Sequence, residues 1–283
     1  MKIELSVIIV NYNGVHYLKD CIDSLYQNLS NIAFEIIILD NNSTDDSRAY
    51  LITNFPEVKL IESKINHGFG KGNNEAVKSA KGSYLLLINN DTVVLDSISP
   101  VLEILKSDAT IGVIGINMLN GKKEYLPAAG IFPNFQNMFQ MNKLLQIGTE
   151  FNSGNFSNDK YEVDWLGGSF LLLRRETYDK INGFDEDYFA HQEEVDFCWR
   201  AKNHGYKIMY VGTSKVYHLG GSTLSNMNPK KTYLNFRNSL FSITKNLPRR
   251  KAFIIIFLRL LLDGIAALRF IWQLRFKHFF AIF

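Results

Sequence analysis

A chain of 283 residues, 46% hydrophobic and 21% charged, is globular and long enough for one large domain or two small ones. Its net charge of +3 says little about partners, because the basic residues are unevenly spread. Two cysteines, Cys21 and Cys198, exclude a disulfide framework and a zinc spacing and point to a reducing compartment. The apolar run Leu5 to Val10 is too short for a signal-peptide core, so a cytosolic catalytic part is expected.

Leu5 to Val10 reads as a buried strand ending in Asn11-Tyr12-Asn13-Gly14, followed by a helix with Val15, Leu18, Cys21, Ile22 and Leu25 on one face. Phe34 to Leu39 is a second strand, ending in Asp40-Asn41-Asn42-Ser43-Thr44-Asp45. A helix, a strand over Val58 to Glu62, the loop Asn66 to Asn74 and a helix over Glu75 to Ala80 come next. The apolar run Tyr84 to Ile88 then stops abruptly at Asn89-Asn90-Asp91. Strands alternating with helices predict an α/β fold with a mostly parallel, doubly wound sheet. In such a sheet ligands bind beyond the carboxyl ends of the strands, where these polar tips collect. A carboxylate there can hold a divalent cation, and the cation a diphosphate. The plainer alternative for Asn89 to Asp91 is a polar turn. Gly68, Gly70 and Gly72 recur at every second residue after the third strand, not as G-x-G-x-x-G after the first, which argues against a nicotinamide dehydrogenase. They suit a backbone that approaches a ligand closely, or simply a flexible loop.

A helix over Ser99 to Lys106 and a strand around Ile111 to Ile116 follow, then a stretch from 120 to 160 with no clear period, read as a long insertion. Trp165-Leu166-Gly167-Gly168-Ser169 leads into the strand Phe170 to Leu173. In the segment His191 to Arg200, Val195, Cys198 and Trp199 mark a helix face, so Glu193, Glu194 and Asp196 gather at a helix start. Acids there suit the helix dipole, but the dipole needs only one, and a shielded carboxylate is a candidate general base. His218, after the strand Lys207 to Gly212 and just before Gly220-Gly221, is either a structural residue or a second metal ligand.

Taken together these motifs resemble the inverting glycosyltransferases of family 2 with the GT-A fold, in their rhamnosyltransferase-like branch. The matching residues are Ser6 to Gly14, Asp40 to Asp45, Asn66 to Gly70 with Asn73-Asn74, Asn89-Asn90-Asp91, Trp165 to Gly168, Glu193 to Asp196 and His218 to Gly221, over roughly residues 5 to 245. The resemblance implies that Asp40 reads the imide of a uracil or thymine ring, beside Asn11, Tyr12 and Asn13. Asn42, Asn66, Gly68, Phe69, Asn73 and Asn90 would join them around the nucleotide. Asp91 would hold Mg2+ or Mn2+, with Asn89 in place of the family's usual first Asp, and His218 would help hold the metal or the diphosphate. Glu194 falls at the base position as Glu rather than Asp, which leaves Glu193 as an alternative. Trp165, Gly167 and Gly168 would lie by the transferred sugar and the acceptor. The implied reaction moves a sugar, rhamnose by the branch, from a dTDP- or UDP-sugar to a glycan or lipid-linked acceptor, in surface polysaccharide synthesis. A sugar-nucleotide nucleotidyltransferase fits less well, because Asn11 to Gly14 carries no Lys or Arg to cradle a triphosphate. A non-catalytic nucleotide-sugar or glycan binder is the third reading, and no nucleic-acid partner is expected.

The expected organisation is a catalytic domain over 1–247, with a nucleotide half to about 118 and an acceptor half from 119, and a basic amphipathic segment over 248–283. Arg259, Asp263 and Arg269 interrupt the apolar run Ala252 to Trp272. A charge at a bilayer centre costs at least about 2.5 kcal/mol, so the helix is expected to lie on a membrane rather than cross it. On a helical wheel Lys251, Arg259, Asp263, Arg269, Gln273 and Lys277 share one sector, and Ile254, Phe257, Leu258, Leu261, Ile265 and Leu268 lie opposite. That places the protein on the anionic inner face of a bacterial plasma membrane. The alternative is that the apolar face docks on the catalytic domain.

Overall fold

The computed structural model of the chain describes residues 2–132, 149–150, 160–220 and 228–282. Its first strand, β1 (Leu5–Asn11), shows why the sheet forms: Val7 and Ile9 enter one buried cluster and Ile8 enters another. A strand whose alternate residues all need burial must be covered on both faces. The same holds for β2 (Phe34–Asp40) and β4 (Tyr84–Asn89), which flank β1 in parallel, with β3 (Lys59–Glu62) outside β2. Helices α1 (Val15–Asn28) and α4 (Ser99–Ser107) cover one face. The other face is covered by α3 (Gly68–Val77) and α6 (Glu193–Asn203).

Beyond β4 the sheet continues through β11 (Phe170–Arg174), β6 (Ile111–Asn120), β12 (Lys207–His218) and β5 (Thr92–Val94). Strand β11 runs antiparallel to both β4 and β6, whereas β6 and β12 are parallel. The expected α/β class and mostly parallel sheet are therefore found. A small second sheet orders β10 (Trp165–Leu166), β7 (Ala129–Ile131) and β8 (Thr149–Glu150), and β9 (Lys160–Val163) pairs with β12. Most of the expected insertion from 120 to 160, and Gly221, lie outside the described residues.

Several expectations change. The glycine loop is helical: Gly70 and Gly72 let α3 pack closely, an added Cβ lying 3.0 Å from Phe184 Cβ and 2.9 Å from Val10 Cγ1, and this packing outweighs their poor helix propensity. Strands β6 and β12 run on to Asn120 and His218 because each supplies the other's hydrogen bonds past a register shift between Val211 and Lys215. A long helix, α7 (Pro229–Asn246), was not expected at all; it starts at Pro229 with Asn228 as its cap, accepting from the Lys230 N–H. The last helix is not continuous: α8 (Arg249–Trp272) ends at a left-handed Leu274, and α9 (Phe276–Phe280) folds back. Arg259 and Asp263 face the protein and the apolar side faces out, so the alternative in which that side docks on the catalytic domain is not what is found.

Candidate active site

Parallel register brings the tips of β1, β2 and β4 level, with Asn11 beside Asp40 and Val10 beside Asn89. The tip amides spend their hydrogen bonds on each other. Asn90 donates to Asn11 Oδ1 at 2.7 Å and Asn11 donates to Ser43 Oγ at 3.2 Å. Asn13, left-handed at φ 51°, accepts from the Thr44 N–H. Asn11 is thus a fully buried strut, and the exposed ring beside it belongs to Tyr12.

A cleft of about 370 Å³ opens over these tips, with Val10, Tyr12, Asn66, Gly68 and Phe69 on one side. Asn89 and Asn90 close another side, and Phe189, Ala190 and Lys230 complete the wall. Gly68 is held at φ +76°, and a Cβ there would lie 2.0 Å from the Phe189 carbonyl oxygen. Asn41, not Asn42, lines the cleft. Its side chain donates to the Gly68 carbonyl at 3.0 Å and accepts from the His67 N–H at 2.8 Å, fixing the turn. Asn73 turns away, donating to the Phe69 carbonyl within α3. Asp40 is completely buried; Oδ2 accepts from Arg48 Nε at 2.6 Å and from the Ser43 N–H, while Oδ1 receives no hydrogen bond.

The end of β12 returns to the same edge. His218 pairs with Thr92 across β5, and the Leu219 N–H donates to the Asp91 carbonyl. This sets His218 Nε2 3.3 Å from Asp91 Oδ1, with Ser169 Oγ 3.2 Å from the same nitrogen. Asn89 donates to Ser169 Oγ at 3.3 Å. A buried carboxylate beside an imidazole is a donor set that fits Mg2+ or Mn2+. Among the described residues no three His, Cys, Asp or Glu cluster, so phosphate oxygens and water would complete such a site.

Glu193, Glu194 and Asp196 have different surroundings. Asp196 is satisfied by Arg200 Nε at 2.7 Å and Asn246 Nδ2 at 2.8 Å, so it is structural. Glu193 is buried with Oε2 unbonded, and its carboxyl is pushed well above the usual range by burial and then by Glu194. Glu194 is only half-buried, and burial raises it to about 7. Both follow His191 and Gln192, two left-handed residues at φ 70° and 73°. Asn238 of α7 holds that turn, donating to the Ala190 and His191 carbonyls at 2.9 and 2.6 Å.

Gly168 joins these parts. A Cβ there would meet the Phe69 ring at 3.3 Å and the Glu194 Cβ at 3.6 Å, so the Gly168 backbone lies against both the cleft wall and Glu194. Gly167 lies against Ala128, and Trp165 packs its ring across Gly130. The sequence reading missed Ser169, Lys230 and Asn238. Ser169 stood inside a quoted motif, but nothing in a sequence marks a lysine or asparagine of an unexpected helix as facing the site.

Residues 6–180 match the model of the family described as Glycosyl transferase family 2. The chain is 26% identical over 248 residues to the low-salt glycan biosynthesis hexosyltransferase Agl10 of Haloferax volcanii, covering 83% of this chain and 74% of that one. It is 24% identical over 245 residues to the N-acetylglucosaminyl-diphospho-decaprenol L-rhamnosyltransferase of Mycobacterium tuberculosis, covering 76% and 75% of the two chains. The crystal structure of GalNAc-T7 with UDP, GalNAc and Mn2+ superposes at a TM-score of 0.65 and 18% identity, over 85% of this chain and 47% of that chain. The family match and the shared architecture agree with the edge just described: the chain belongs to glycosyl transferase family 2 and is a glycosyltransferase with the GT-A fold.

Proposed function

We propose that the protein transfers a sugar from a dTDP- or UDP-sugar to a hydroxyl of a glycan or lipid-linked acceptor, with inversion and with the help of Mg2+ or Mn2+. The observation that carries this reading is Gly168, which sets the half-buried Glu194 against the wall of the Phe69 cleft while its neighbour Ser169 touches His218 beside Asp91. Base, cleft and metal-ligand pair therefore share one short segment. The rhamnosyltransferase and hexosyltransferase relatives support a hexose or deoxyhexose, with rhamnose as the first choice. The decaprenol in one relative's name supports a lipid-linked acceptor, and with it a place of action at the cytoplasmic face of a plasma membrane. Residues 1–118 supply most of the nucleotide site, while 119–247 carry the acceptor side and add Phe189, Ala190, Lys230 and His218 to the nucleotide's surroundings.

In this mechanism Tyr12 and Phe69, on the cleft wall, flank the nucleoside, and Asp40, whose buried Oδ1 receives no hydrogen bond, is the carboxylate that would read the imide N–H of the base. Asp91 and His218 would hold the metal, and when bound it would supply positive charge to offset that of the leaving diphosphate. Glu194, more basic than an ordinary carboxylate, takes the acceptor proton as the oxygen attacks the anomeric carbon from the face opposite the diphosphate. The bond to the diphosphate breaks in the same displacement, so the anomeric centre inverts.

The test incubates the chain with dTDP-rhamnose, UDP-glucose or UDP-GlcNAc, a GlcNAc-diphospho-polyprenol acceptor and Mn2+. Transfer from one donor, with NMR showing the opposite anomer in the product, is the expected result. Retention of the anomer, or tight donor binding with no turnover, contradicts it; a preference for GDP-sugars contradicts the role of Asp40.

A further inference from the structure

Helix α8 is built the wrong way round for a helix that only completes a core. Arg259 and Asp263, its mid-helix charges, are buried and paired with each other, and the Arg259 guanidinium lies 5.8 Å from the centre of the Phe236 ring of α7. Ala252 and Ile255 continue that inward stripe against Ile243. Facing outward are Phe253, Ile254, Phe257, Leu261, Ile265 and Leu268, each more than half exposed. Trp272 extends the same face at 92% exposure, and Phe276 and Phe280 of α9 are also exposed. Buried charges cost stability and exposed apolar side chains gain none, so this orientation is unexpected for a surface that meets only water.

The charge distribution identifies what covers the face. Residues 248–283 carry seven Lys or Arg and one Asp, a net +6, so residues 1–247 are net −3 in a chain of total +3. Arg249, Arg250 and Lys251 stand exposed at one end of α8, and Arg269 and Lys277 stand exposed at or just beyond the other. A contiguous apolar face flanked by cations fits an anionic lipid surface, acyl chains below and headgroups at the rim. Among the described residues no helix is long and apolar enough to cross a membrane, which leaves lying in the interface.

We propose that α8 and α9 form a monotopic docking surface for an anionic bilayer, entering with the face opposite the Arg259–Asp263 pair. Helix α9 is fixed to the protein rather than free, since His278 meets Thr232 Oγ1 of α7 at 2.8 Å and Arg275 Nη2 at 2.8 Å. The same α7 puts Lys230 in the cleft wall and Asn238 under the Glu194 turn, so docking holds the site near the bilayer. Lys230 and Asn238 lie about 12 Å apart along α7. The proposal deepens the membrane location suggested above, yet vesicle binding is read without donor, acceptor or metal, so either can fail alone.

The test is flotation of the full chain with vesicles of phosphatidylcholine containing about 30 mol% phosphatidylglycerol, against phosphatidylcholine alone. The chain should float with the anionic vesicles and be released largely by about 1 M NaCl. Trp272 emission should shift to the blue on binding and be quenched by spin-labelled lipid. Phe257→Glu with Leu261→Glu should lower the bound fraction at least about tenfold while the unfolding temperature holds, because both side chains are exposed. Arg250→Glu with Lys251→Glu should abolish the preference for anionic lipid. Wild-type chain left at the bottom of the gradient with unshifted Trp272 emission overturns the proposal, whether or not the variants fold. So does a dimer in sedimentation that the Phe257 and Leu261 changes dissolve, which would give the face to a second copy of the chain.

Discussion

His218 Nε2 stands 3.3 Å from Asp91 Oδ1, and the contact is made by strand pairing. Thr92, next to Asp91, pairs with His218 through β5 and β12, and the Leu219 N–H closes on the Asp91 carbonyl. The two side chains are therefore placed by strand pairing, which is what the proposed metal site needs if its geometry is to be set in advance. Asp91→Ala should leave the fold intact, remove the effect of Mg2+ or Mn2+ on nucleotide affinity and lower turnover at least about 100-fold. His218→Ala should weaken the same metal effect. Full activity in EDTA would remove the metal from the account.

Lys230 is an exposed cation in the cleft wall, its ammonium 4.7 Å from the centre of the Phe189 ring. Its expected partner is the diphosphate. Lys230→Ala should weaken UDP or dTDP binding roughly tenfold, about the value of one charge-assisted contact, and leave uridine or thymidine binding unchanged. Equal losses for nucleoside and nucleotide would show that Lys230 only props Phe189.

Asn238 is fully buried and holds two carbonyls of the left-handed turn before Glu194. Its proposed role is to position that turn. Asn238→Asp keeps the shape and removes the donors, so it should lower kcat as far as Asn238→Ala does, with a smaller effect on donor KM. Recovery of kcat in Asn238→Asp would reduce the residue to packing.

Much of the architecture was legible because its cause is local. Short continuous apolar runs made β1, β2 and β4 readable as strands buried on both faces, and each polar tip stood next to its strand. Asp91, Glu194 and Gly168 were placed by motif, and the structure gathers them at one edge. What could not be read depends on partners distant in the chain. Gly70 and Gly72 look like loop residues until Phe184 and Val10 are placed beside them. Asn41 and Asn42 are indistinguishable until the backbone shows which faces the cleft. The wheel of α8 separated the charged from the apolar side correctly, but only the Phe236 ring and α7 show that the charged side faces in.

The raised carboxyls predict a pH dependence of stability. The folded chain holds the Glu193 and Glu194 protons more tightly than the unfolded one, so stability falls as pH rises from the ordinary 4.5 towards and past about 7. Glu193→Gln removes most of that loss. Its unfolding temperature should exceed that of the wild type at about pH 8 and approach it at about pH 5. A difference independent of pH would mean that Glu193 is not held protonated by the fold.

The proposed base, Glu194, set over Gly168, accepts the proton of the acceptor hydroxyl in this mechanism. That role is tested most directly by measuring turnover and donor affinity on Glu194→Gln and Glu193→Gln side by side. Glu194→Gln should bind the donor normally and turn over about 10²- to 10⁴-fold more slowly. In the wild type kcat/KM should rise with pH through about 7, the value to which burial lifts Glu194, and this rise should be lost in Glu194→Gln. Glu193→Gln should keep most of its turnover. Near-normal turnover in Glu194→Gln, with the loss appearing in Glu193→Gln instead, would contradict the account.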